Sequence, residues 1–199
     1  MLDQRVAESI PAHDTAQHRD QLAHTTARAI LGHSQQGIDA RTIQRLVNLV
    51  DTEGIDMIAS LWADAEPVSL PGALWRLYVI REWIQHNSAS LAMRYSLGLN
   101  SASIHEVVAG LPVPPGPQDL YALANAVLTG AFVGDVDVAL DRAAAFCSII
   151  ATGTAHDADA REVADATAAR RMTRNAAQLA TTAQELREAA QLWRQGKLD

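Results

Sequence analysis

The chain is predicted to be all-α. Helix-capping residues recur along its length, apolar residues repeat at three- and four-residue spacing, and alternating β-branched segments are nearly missing. At 199 residues it fits one domain with a real core, and 48% hydrophobic against 20% charged residues is the balance of a folded protein. About eight helices are expected in a single bundle over 1–199, with the last helix the longest.

The first helix is expected from Asp14 to Leu31, ending at Gly32. A second starts at Asp39 as N-cap and carries Ile43, Leu46, Val47 and Val50 on one face. After the break at Asp51-Thr52-Glu53-Gly54, a third around Ile55 to Ala65 presents Ile58, Leu61, Trp62 and Ala65 and stops before Pro67. Ser69 as N-cap and Pro71 in the first turn start a fourth, from about Leu70 to His86. Leu70, Leu74, Leu77 and Ile84 fall on one side of it and Trp75, Val79 and Trp83 towards the other. A helix apolar nearly all round belongs at the centre of a bundle.

A shorter helix is expected around Leu91, and another from Ser103, whose capping box closes on Glu106 before Gly110. The Pro-rich crossover at 110–117 joins two halves of one core. Helices from Pro117 to Thr129 and from Val136 to Ala151, the latter capped by Asp135, supply the most apolar layer. The last helix should run unbroken from His156 to Gln195. The stretches Ser69-Leu70-Pro71-Gly72-Ala73-Leu74-Trp75-Arg76-Leu77-Tyr78 and Val138-Ala139-Leu140-Asp141-Arg142-Ala143-Ala144-Ala145-Phe146-Cys147 resemble an uncharacterised family of helical bacterial proteins. That resemblance implies a helical fold and brings no activity or site.

Charge and composition narrow the function classes. A net charge of −7 disfavours gripping nucleic-acid phosphates as a main task. Met1 to Asp14 carries charged residues where a secretory leader needs an apolar run, so the mature chain is expected to start near Met1. The uncharged runs Leu120 to Gly134 and Ala143 to Ala155 fall short of the roughly 20 residues of a membrane span. The single cysteine, Cys147, suits a reducing compartment and reads as core filler, so a cytoplasmic location is expected. There is no P-loop, no nucleophile elbow and no zinc-ligand cysteine pair, and no cofactor is expected.

Two constellations remain. Ala169, Met172, Ala176, Leu179, Ala183, Leu186, Ala190 and Trp193 form a heptad seam in which every second residue is alanine. Its expected cover is the first helix, through Ala16, Ala23, Ala27 and Ile30, with a second copy or a partner protein as the alternative. The other constellation is Trp75, Arg76, Arg81, Glu82, His86, Asp137 and Asp141. Arg81 lies on the apolar side of the fourth helix and needs acceptors, for which Asp137 and Asp141, one turn apart, are candidates.

A buried ion-pair network is the first reading of that set. The second adds Glu82 and His86 to the two aspartates as a divalent-metal site for hydrolysis, although Glu82 and His86 lack the Glu-x-x-His spacing of helical-bundle metal centres. Arg170, Arg171 and Arg174 are read as an exposed face paired with Glu162 and Asp165, and only secondarily as a phosphate contact. A helix-turn-helix around Asp51 to Gly54 is disfavoured by Asp56, Asp64 and Glu66. Clustered His13, His18, His24 and His33 read as solvated. The favoured function is therefore binding, as an oligomer or adaptor, through the long C-terminal helix or an adjoining groove.

Overall fold

A computed structural model describes residues 12–35, 61–100, 117–133 and 135–199. These residues form five helices and no strand. The helices expected from Asp39 and Ser103, most of the Ile55 helix and the crossover before Pro117 lie outside the described residues.

Helix α1 (Ala12–Gln35) buries Ala23, Ala27 and Leu31 on one stripe and packs against α2 and α3. Beyond it, Trp62 is buried, and its indole N–H donates to Thr26 Oγ1 at 3.1 Å. Helix α2 (Leu70–Leu99) begins as expected: Ser69 Oγ accepts the Gly72 N–H at 3.2 Å and donates to the Glu66 carbonyl at 2.7 Å. It unites the two helices expected around Leu70–His86 and Leu91. Between them Asn87 leaves helical geometry (φ −131°, ψ 18°), and its side-chain amide donates to the Trp83 carbonyl at 3.1 Å, a local bond that bends the rod without ending it.

Helix α3 (Pro117–Val133) carries Asp119 in its first turn and buries Leu120, Leu123, Ala124, Val127 and Leu128. Helix α4 (Val136–Arg161) runs ten residues past the expected end at Ala151. Asp135 stands at its N-cap, but the side chain makes no capping bond. Helix α5 (Ala166–Arg194) replaces the unbroken final helix. The chain turns at 162–164, and Asp165 caps the new helix by accepting the Ala168 N–H at 2.9 Å.

At its far end α5 closes in a Schellman turn. Gly196 takes φ +66°, its N–H reaches the Trp193 carbonyl, and the Lys197 N–H reaches that of Leu192, each at 2.9 Å. The tail then tucks in: Leu198 is buried, the Asp199 carbonyl accepts the Leu70 N–H at 2.7 Å, and its carboxylate accepts from Arg28 Nη2 at 2.7 Å.

The turn at 162–164 makes α4 and α5 an antiparallel hairpin, the most extensive contact in the molecule. It also decides what covers the alanine seam. Ala169, Met172, Ala176, Ala183, Leu186 and Ala190 are buried, Leu179 and Trp193 half-buried, and the cover is α4 rather than the expected α1.

Helix α2 crosses α4 with almost no space between backbones. A Cβ on Gly153 would stand 1.8 Å from the Arg94 carbonyl oxygen, and one on Gly98 2.0 Å from that of Ile149. Tyr95 stacks on Phe146 beside this crossing, with ring centroids 5.9 Å apart. Helix α4 alone is long and apolar enough to cross a membrane by length and composition, among the described residues. In this fold it lies packed between α2, α3 and α5.

Candidate functional site

Arg81 is buried at 5% exposure, as its place on the helical wheel requires, but its acceptors are not Asp137 and Asp141. Nε donates to Asn125 Oδ1 at 2.9 Å on α3, and Nη1 to Glu82 Oε1 at 2.8 Å. The Gln85 amide, with its oxygen turned to the guanidinium, accepts from Nη2 at 2.9 Å and Nη1 at 3.2 Å. Arg81 thus faces α3, and one uncharged amide on that helix does the work that a carboxylate was expected to do.

The two aspartates belong to the hairpin. Arg194 Nε donates to Asp137 Oδ2 at 2.8 Å and Nη2 to Asp141 Oδ2. One cation between two carboxylates a turn apart offsets their repulsion. The bonds to Asp141 and Asp137 in turn hold the Arg194 proton more tightly than usual. Arg76 has a third set of partners: Nε and Nη2 reach Glu185 Oε2 at 3.1 and 2.9 Å, and Nη1 the Gly72 carbonyl at 3.3 Å.

The set Trp75, Arg76, Arg81, Glu82, His86, Asp137 and Asp141 is therefore divided among three places. Glu82 is engaged by Arg81, and exposed His86 turns Nδ1 to the Glu82 carbonyl at 2.7 Å on its own helix. The proposed metal ligands do not converge, and no three His, Cys, Asp or Glu side chains do so among the described residues. Arg170, Arg171 and Arg174 are exposed, and among the described residues none enters the expected ion pair. Asp165 instead caps α5, while Arg170 and Arg174 border an open cleft of about 610 Å³ with Asp159 and Glu162.

The side of α2 opposite its core stripe is where the described residues leave a cavity. Trp75, Val79 and Trp83 were expected to be covered at the centre of a bundle, yet Val79 is 42% exposed and both indoles are half-buried. Together with Leu179 and Thr182 of α5 and with Ala63, Ala65 and Pro67 they line a groove of about 550 Å³. Trp75 is steadied by Tyr78 behind it, their rings 5.7 Å apart and nearly parallel.

Cys147 lies at the floor of the groove, fully buried, and desolvation pushes its thiol up to about 12, partly opposed by Arg187. It is a protonated packing atom rather than a nucleophile. Of the groove residues outside Trp75 and Arg76, only Leu179 had been singled out for a surface, and for the wrong one. The usable signal was the Trp75, Val79, Trp83 stripe at four-residue spacing. No protein family, curated protein or solved structure matches the chain.

Proposed function

We propose that the chain works by binding, taking an apolar molecule into the groove between α2 and α5. The observation that supports this most is the Trp75, Val79, Trp83 stripe. These are three large apolar side chains on one helix face, left open by the described residues around a volume typical of ligand sites, roughly 300 to 1,000 Å³. Burying such aromatic surface contributes about 25 cal/mol per Å², with no acid, base or nucleophile required.

The favoured seam of the C-terminal helix no longer serves an oligomer or adaptor, because α4 occupies it; the adjoining groove takes over that role. A cytoplasmic, single-bundle protein is the setting this reading assumes, resting on lone Cys147 and on a core cluster drawn from all five helices.

The test is thermal unfolding of the full chain against a panel of apolar compounds. A compound occupying the groove at about 100 times its Kd stabilises by about 2.7 kcal/mol. The gain should vanish in Val79→Glu, a change at an exposed helical position that leaves the circular dichroism intact. Stabilisation that persists in Val79→Glu, or none from any compound, overturns the reading.

A further inference from the structure

We infer that the occupant of this groove is an uncharged small molecule built on linked or fused rings, an inference that rests on the binding reading above. Charge argues first. The one ionisable cation in the lining, Arg76, spends Nε and Nη2 on Glu185 and Nη1 on the Gly72 carbonyl. Both members of the pair are only about a fifth exposed. A carboxylate entering the groove would have to compete with Glu185 for a partly desolvated guanidinium. An entering cation would meet a carboxylate already paired. Either would lose hydration without gaining a counter-ion. The buried, protonated thiol of Cys147 adds no charge.

Size argues against a polypeptide. One turn of α-helix, 10 to 12 Å wide with a 5.4 Å pitch, fills about 500 Å³, so this cavity holds about a single turn. Helix-in-groove recognition needs anchors over two turns or more.

Shape argues for rings. Trp75 and Trp83 stand eight residues apart, about 12 Å along the helix, with Val79 as a low saddle between them. Two indoles at the ends of a slot, one of them fixed by its stack on Tyr78, offer flat faces to which planar ligands bind without ordering a flexible chain.

Titration of the full chain with neutral phenylnaphthylamine, read by energy transfer from tryptophan, tests the inference against decanoate, dodecylammonium and an amphipathic helical peptide as competitors. Expected are saturable transfer, a loss of affinity of about tenfold or more in Val79→Glu, and no displacement by the three competitors. Displacement by any competitor at concentrations equal to or below those of the neutral probe, with sensitivity to Val79→Glu retained, overturns the ligand class and leaves the groove as a binding site. Transfer that is unsaturable or indifferent to Val79→Glu overturns both.

Discussion

At Gly153 a single added carbon would lie 1.8 Å from the Arg94 carbonyl oxygen, and the obstacle is backbone that no rotamer change can move. Gly153→Ala should therefore cost about 1–3 kcal/mol or more in urea denaturation, with Gly98→Ala similar. Arg81→Ala removes the donor to Asn125 and strips the packing of its stem, and is expected to cost about 2–3 kcal/mol in the same assay. Cys147 carries a signature of its own. Its thiol rises from an ordinary 9.0 to about 12 on folding, so the folded state holds the proton more tightly. The resulting stability is complete below 9.0 and is lost as pH climbs towards 12. The loss of stability with pH in this window should be shallower in Cys147→Ala, and the native thiol should resist alkylation until the chain unfolds.

At the scale of helices, two caps make the sharpest test: Ser69→Ala and Asp165→Ala should each lower stability by about 1 kcal/mol, measured by thermal melting. The two differ in how visible they were. Ser69 is followed by Pro71 and an apolar stripe, a start signal that sequence alone supports. Asp165 is preceded by Glu162-Val163-Ala164, with no Gly or Pro to mark a stop, so helical periodicity runs through it unbroken. That one hidden turn accounts for most of the misreading of the candidate site. A single helix from His156 carries Arg194 about 57 Å away along the axis, whereas the hairpin returns it to Asp137 and Asp141. Arg81 was legible as a buried cation, but matching it to partners by charge overlooked a neutral amide on Asn125. The heptad seam was likewise legible as an apolar face, since periodicity reports that a face is covered and not which helix covers it. The Trp75, Val79, Trp83 stripe shows the converse error: apolar surface all round a helix was read as burial all round.

For the molecule as a whole, the seam between α4 and α5 predicts how a disruptive substitution behaves. Ala183→Glu places a charge at a fully buried position and should destabilise by several kcal/mol. Its melting temperature should not move over a roughly tenfold range of protein concentration, since the surface that it breaks lies within one chain. A midpoint that rises with concentration would instead point to a seam shared between copies. The tail at Asp199 has a different kind of consequence. Its bond to Arg28 spans 171 residues, whereas the α4–α5 hairpin is joined by a four-residue turn. Loop-closure entropy therefore orders the folding reaction, with the hairpin zipping early and the clasp between α1, the start of α2 and residue 199 forming last. Asp199→Ala should accordingly hasten unfolding while leaving the refolding rate unchanged in stopped-flow traces, the kinetic mark of a contact absent from the transition state.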